Sequence, residues 1–307
     1  MKSNNILDAI GMIDDELIFN AKNNTVKLKS KRKLLLCVAV ITIILFTTAL
    51  AINLGWHLKL IEYLKPNEKQ ISMLNQASNI SEVTASDNGV TVTVKQTLAD
   101  KFGIYVLYEI TAPENFKFND DTVWSIQVLE LPYEKTDDYI VGGTSRYEIL
   151  EQNQNKRLVL IYQDITSPLA SGKLCLNLSN LHDRITNENK INCQFKLEWN
   201  FTYKDTGKNI EVNQKFGDNT IKNIYISPIS LCVYIEGYIS PKTQPIVKFK
   251  DGSEISYSPE APNVSFTTYL IDEQNSTYMN KISFRFDKVI DIDNVKYIKI
   301  ANVKIDV

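Results

Sequence analysis

The run from Leu34 to Leu54 reads LLLCVAVITIILFTTALAINL and holds no charged residue. At about 1.5 Å of rise per residue, a helix of this length spans roughly 31 Å, against a bilayer hydrocarbon core of about 30 Å. Most of its side chains are Leu, Ile, Val or Phe, each favouring insertion near the bilayer centre by about 0.3–0.6 kcal/mol. That sum absorbs Thr42, Thr47, Thr48 and Asn53. A buried soluble helix of this length normally carries some polar face. The run is expected to be a transmembrane helix in contact with the lipid bilayer, and the rest of the chain sorts to one side of it or the other.

The flanks set the orientation. Lys27, Lys29, Lys31, Arg32 and Lys33 crowd the amino-terminal side, whereas Gly55, Trp56, His57 and Lys59 open the other. A lysine and arginine excess stays in the cytoplasm, and Trp56 suits the far interface. Lys31, Arg32 and Lys33 are therefore the nearest topology determinants, with a cytoplasmic amino terminus and the bulk of the chain outside the cell. A cleaved signal peptide is the rival reading, because Ala49-Leu50-Ala51 resembles a cleavage site. The long, patterned region that precedes the run favours an anchor.

That region is residues 1–33. Ile6, Ile10, Ile13 and Leu17 fall at steps of four, three and four, on one face of a helix for which Ser3 is a candidate cap. Asp8, Asp14, Asp15 and Glu16 lie mostly off that face. A helix this short is marginal alone in water, so the stripe needs a partner. The acidic residues disfavour an anionic leaflet as that partner, and a groove on a cytoplasmic regulator fits better. The bland alternative is a loosely helical tail whose only duty is topology.

Beyond the membrane run, His57 to Leu64 and Glu68 to Gln76 read as short helical pieces broken at Pro66, a juxtamembrane stalk over 55–77. From about Ser78 the apolar period changes to two. Val90, Val92 and Val94 follow a turn at Asp87-Asn88-Gly89, and Ile104, Val106, Tyr108 and Ile110 alternate likewise. Further strands are expected over 124–131, 146–150, 158–162, 173–178 and 192–203, with Leu178 to Ile185 read as a loop. A polar stretch, Lys204 to Asn209, resets the pattern. A second block then runs through strands over 221–226, 231–238, 246–250, 254–257, 266–271, 282–286, 295–301 and 303–307, with Asp251-Gly252 as a hairpin turn. Many short strands with turns between them predict β-sandwiches, one over 78–205 and one over 206–307. A chain of 307 residues has room for two such domains.

Little in this sequence points to catalysis. The two histidines, His57 and His182, are too few for a His-rich metal site, and no phosphate-cradling loop or nucleophile elbow is present. His182-Asp183 is a possible acid/base pair without an implied nucleophile. Asp291, Asp293 and Asn294 lack the glycine and distal glutamate of a calcium loop and read better as a turn. Asp120-Asp121 and Asp137-Asp138 are ordinary acidic loops, and Gly142-Gly143 is a turn. Cys175, Cys193 and Cys232 are odd in number with no metal-binding spacing; Cys175 with Cys193 is the one bridge worth considering, and buried strand cysteines the plainer reading. A formal net charge of -2 argues against nucleic acid as a bulk partner. No enzyme activity and no cofactor are expected.

Three stretches carry a resemblance. Leu7-Asp8-Ala9-Ile10-Gly11-Met12-Ile13-Asp14-Asp15-Glu16-Leu17-Ile18 precedes basic residues and one membrane run; DNGVTVTVKQTLADKFGIYVLYEI spans Asp87 to Ile110; and Ile290-Asp291-Ile292-Asp293-Asn294-Val295 leads into the final strands. Together they resemble a family of Gram-positive bacterial single-pass membrane proteins with ectodomains of unknown function. The resemblance implies immunoglobulin-like β domains and an anti-sigma-like role beside an extracytoplasmic-function sigma factor. Residues 1–33 hold neither His nor Cys, so inhibition through a zinc-binding His/Cys module is excluded. The expected function is envelope signalling: an ectodomain that binds an unknown envelope ligand and a tail that binds a regulator through Ile6, Ile10, Ile13 and Leu17. The alternative is a non-signalling envelope-binding or adhesive module.

Overall fold

The computed structural model describes residues 57–134, 144–237, 244–256, 263–272 and 277–307. The chain is mainly β, its strands antiparallel throughout the four sheets. Two short helices come first, α1 (Leu58–Leu64) and α2 (Glu68–Leu74). The first block then contains β1 (Ser78–Asp87), β2 (Val90–Ala99), β3 (Gly103–Thr111), β4 (Thr122–Glu130), β5 (Ser145–Gln152), β6 (Lys156–Asp164), β7 (Gly172–Asp183) and β8 (Asn189–Phe201). Five of these strands pair in the order β1-β2-β3-β6-β5 and three in the order β4-β7-β8. One core joins the two sheets: Val90, Val92, Val106 and Ile161 come from the first, and Leu176, Phe195, Leu197 and Trp199 from the second.

Local chemistry explains the strands. Asn88 and Gly89 both have positive φ, 46° and 79°, the pair of left-handed residues that a type I′ hairpin requires. This turn pairs Asp87 with Val90 and so turns the valines of β2 inward. In β3 and β6 the apolar runs are continuous because both faces are covered. Val106 and Tyr108 face the sandwich core, while Tyr105 and Leu107 belong to a separate cluster on the other side of the sheet.

The second block consists of β9 (Lys208–Phe216), β10 (Asn219–Ile226), β11 (Ser230–Glu236), β12 (Pro245–Phe249), β13 (Glu254–Ser256), β14 (Val264–Asp272), β15 (Thr277–Arg285), β16 (Val295–Ile300) and β17 (Val303–Asp306). Its sheets run β14-β15-β11-β10-β9 and β13-β12-β16-β17. Ile224, Val233, Ile282 and Phe284 meet Val247, Ile298, Ile300 and Ile305 in its core. Gly252, at φ 89°, turns the β12–β13 hairpin where Asp251-Gly252 predicts it.

Three expectations change. The helices do not stand clear as a stalk: Leu60, Ile61, Leu64, Ile71 and Leu74 are buried against the first sheet. Helices of one to two turns gain their stability from such packing rather than from propensity. Leu178 to Asp183 is strand, not loop; β7 continues to Asp183 through an irregular register with β8. The polar stretch at Lys204 is shorter than its composition suggests, because Lys208 and Asn209 already pair with Ile226 and Tyr225. Among the described residues no helix is long and apolar enough to cross a membrane. The Leu34–Leu54 run and the tail lie outside them.

Candidate functional site

Two regions gather the polar chemistry of the molecule. The first is the seam where the helices meet both β blocks. The outer face of the five-stranded sheet presents Tyr105, Leu107, Leu158 and Leu160; the helices pack on it together with Ile229 and Val289 of the second block. The Val289 N–H donates to Leu64 O at 2.9 Å, and Gln70 Nε2 donates to Val289 O at 3.0 Å. Arg285 donates to the Tyr63 hydroxyl at 2.7 Å, and Tyr63 donates to Glu148 at 2.9 Å. Lys69 pairs with Asp291 at 2.9 Å. Each helix thus touches both blocks.

Beside this apolar wedge is a sealed polar set. Asp100, 1% exposed, accepts hydrogen bonds from the hydroxyls of Ser227 and Ser230 and, at 2.9 Å, from the Phe102 N–H. Burial raises its carboxyl above the ordinary value despite those donors. Lys281, also 1% exposed, donates to Ile165 O, lies 3.6 Å from Asp164 Oδ1 and sits 4.5 Å over the Phe102 ring. Asp164 accepts a further bond from Ser265. Tyr225 accepts from the Lys101 N–H at 3.1 Å and donates to Asp205 at 2.6 Å, with its phenol pushed upward by burial. Gly207 makes room for that ring, since a Cβ there would sit 2.4 Å from it. These bonds, those of Asp205 and of the Phe102 N–H apart, cross from one block to the other. They are closed to substrate and act as a lock.

The second region is on the side of the first block away from β1 and β8. There the five-stranded sheet extends past the three-stranded one. Tyr147 and Ile149 of β5 pair with the inward-facing Ile161 and Val159, yet β4 is already the edge of the opposing sheet. A cavity of about 150 Å³ opens beside β4, lined among others by Tyr108, Trp124, Gln127, Tyr147, Arg157 and Arg184. Arg157 is 4% exposed. Its guanidinium donates to Thr122 O and Asn119 O, its Nε donates to Gln152 Oε1 at 2.6 Å, and its plane lies 4.6 Å from the Phe118 ring. The loop that supplies those carbonyls is tied by Thr122 Oγ1 donating to Asn119 Oδ1 at 2.6 Å. Burial pulls the Arg157 pKa below its ordinary value. Tyr108 donates to Gln127 Oε1 at 2.7 Å, and Arg184 pairs with Asp121 at 3.1 Å.

A larger hollow of about 660 Å³ lies between α2 and the β12–β13 hairpin, and most of the charges around it are engaged. Lys248 pairs with Glu254, Lys250 donates to Asp293 O, and Asp291 is held by Lys69.

The expected tail contacts, Ile6, Ile10, Ile13 and Leu17, and the basic Lys31, Arg32 and Lys33 lie outside the described residues, as do Asp137-Asp138 and Gly142-Gly143. His57 caps α1, accepting from the Lys59 N–H at 3.3 Å, and burial lowers its pKa. His182 and Asp183 do not form a pair. Asp183 accepts from the Ile185 and Thr186 N–H groups at 3.0 and 3.1 Å, bonds that hold its carboxyl below the usual range. Asp291 likewise caps the short turn Ile292–Asn294. Cys175, Cys193 and Cys232 are free and buried. Cys175 faces Glu198 in the β7–β8 ladder, well away from the register position of Cys193, so no bridge forms. Among the described residues no cluster of three or more His, Cys, Asp or Glu is placed to hold a metal ion.

Neither region was singled out from the sequence. Two signals were present: Lys281 interrupts the apolar run of β15, and Arg157 opens that of β6. A charge embedded in an otherwise two-faced strand marks a partner from elsewhere in the fold.

No curated protein matches this chain. A solved structure described as the crystal structure of the conserved domain protein from Bacillus anthracis superposes with a TM-score of 0.47 at 14% identity, over 72% of this chain and 75% of that one. Residues 22–112 match the model of a domain of unknown function, DUF4179.

Proposed function

We propose that this chain is an envelope-signalling protein of the anti-sigma-like kind, anchored by Leu34–Leu54. In this reading two immunoglobulin-like sandwiches outside the cell bind an envelope ligand. Inside, the tail holds a cytoplasmic regulator, such as an extracytoplasmic-function sigma factor, through Ile6, Ile10, Ile13 and Leu17. The observation that carries the reading is the attachment of the helices. α1 begins at Leu58, a few residues past the apolar run, and both helices are seated between the two β blocks. A ligand that alters the packing of the seam acts on a helix separated from the apolar run by only three residues. The match over 22–112 supports the same linkage, because it runs unbroken from the basic flank through the apolar run to β3.

The test is capture of the regulator by the tail. Burying one such side chain contributes about 1.5–3 kcal/mol, and 1.4 kcal/mol is a factor of ten. An Ile10→Asp, Ile13→Asp double variant is therefore expected to bind the captured regulator at least about a hundredfold more weakly. Equal binding by the double variant would exclude the stripe as the docking element. Failure to capture any cytoplasmic partner would favour the second reading, a non-signalling envelope-binding module, to which the Arg157 cavity also lends support.

A further inference from the structure

We propose that the cavity beside β4 binds an acidic monosaccharide unit, a pyranose ring bearing a carboxylate. The inference is independent of the tail and its regulator, since every residue it uses lies in the first β block.

The charge requirement comes from Arg157. A guanidinium has five N–H donors, and here three named acceptors engage it, all of them neutral: two backbone carbonyls and the Gln152 amide oxygen. Among the described residues no carboxylate stands within ion-pair distance, although the side chain is almost wholly buried. Asp120 reaches the guanidinium only through its field, without an ion pair; a buried charge so weakly compensated is unfavourable, and an anion arriving in the cavity relieves it. Arginine is the side chain best shaped to receive a carboxylate through two parallel bonds. Holding Arg157 against Phe118 and the Asn119–Thr122 loop fixes that fork before any ligand arrives.

Size and lining specify the rest. Pockets for drug-sized ligands run about 300–1,000 Å³, and this one, at about 150 Å³, has room for a single ring. Trp124 and half-exposed Tyr147 supply flat apolar walls. Gln127 and Arg184 on the same lining supply an amide that donates and accepts and a second guanidinium, which suits hydroxyls that act as both. The mouth faces the side where β4 and β5 are sheet edges, so a ring within a longer glycan can enter with its neighbours outside.

Titration of the isotope-labelled full-length chain with glucuronate, glucose and acetate, followed at the Trp124 indole N–H by NMR, tests the assignment. Glucose has the same ring without the carboxylate, and acetate has the carboxylate without the ring. Saturable shifts with glucuronate are expected, with glucose and acetate each at least about tenfold weaker, the effect of losing about 1.4 kcal/mol. Equal binding of glucose would overturn the role of Arg157, equal binding of acetate would overturn the role of the ring, and no shift with glucuronate would overturn the site. Arg157→Gln disturbs the loop it holds, so Tyr147→Ala, at a half-exposed position, is the second variant. It is expected to weaken glucuronate binding with an unchanged melting temperature, and unaltered binding would remove the aromatic wall from the proposal. A glucuronate trisaccharide that binds as well as the monomer identifies a glycan-borne unit, and one that binds worse identifies the free sugar; either supports the site.

Discussion

Asp100 shows how one carboxyl can hold two β blocks together and set their response to pH. Its folded-state pKa is raised by burial, so between the unfolded and folded values the native chain binds a proton that the unfolded chain has released. Stability from this group is therefore fully present below the ordinary carboxylate range and is lost as pH rises through the folded value. Asp183, Asp251 and Asp291, whose carboxyls are held low by hydrogen bonds, act in the opposite sense and lose their contribution as pH falls. Asp100→Asn retains an acceptor for the hydroxyls of Ser227 and Ser230 while removing the charge. The melting temperature of the variant minus that of the parent is expected to increase from acid to neutral pH. A difference that stays level would mean that Asp100 is ionised in the folded state as readily as in the unfolded one.

At the scale of elements, what the sequence discloses depends on how many faces each element buries. From Val90 to Lys95 β2 has one buried face, and its Val-x-Val-x-Val pattern announces it; Asn88-Gly89 and Asp251-Gly252 announce their turns by needing residues that accept positive φ. β9 is hard to see because it is an edge strand with its outward side in water, and only Ile210, Val212 and Phe216 touch the core. The helices are visible as helices, but where they dock is not, because the surface they need is the second face of β3 and β6. The cavity is least visible: its residues come from five strands and a turn, and the vacancy exists only because five strands oppose three. The helices also carry a quantitative consequence. Leu64 is buried against groups from both blocks, and a buried Leu→Ala change costs about 2–5 kcal/mol. Leu64→Ala is expected to lower the urea midpoint of both blocks together, followed by tryptophan fluorescence for the first, where Trp124 and Trp199 report, and by hydrogen exchange of β11 and β15 amides for the second. Loss confined to one block would show that α1 belongs to that block alone.

For the whole molecule, the decisive question is which side of the membrane the β blocks occupy, and the buried cysteines make it measurable. Cys175, Cys193 and Cys232 are inaccessible, burial raises all three thiols, and that of Cys232 is pushed up to about 12. A thiol must be accessible and ionised to react, so a membrane-impermeant maleimide has little native target among them. Cys37 lies within the apolar run. An introduced cysteine therefore reports its own position. Asp218→Cys, at the exposed β9–β10 turn, is expected to label in intact cells. Asn5→Cys, in the tail, is expected to label only after the membrane is opened, because a lysine and arginine excess such as Lys27 to Lys33 favours the cytoplasmic side. The reverse pattern would place the tail outside and remove the regulator from reach. A chain in which Asp218→Cys labels while the anchor segment is missing from the purified mass would show cleavage near Ala51, leaving the β blocks without the link to the membrane on which the proposed signalling through the seam depends.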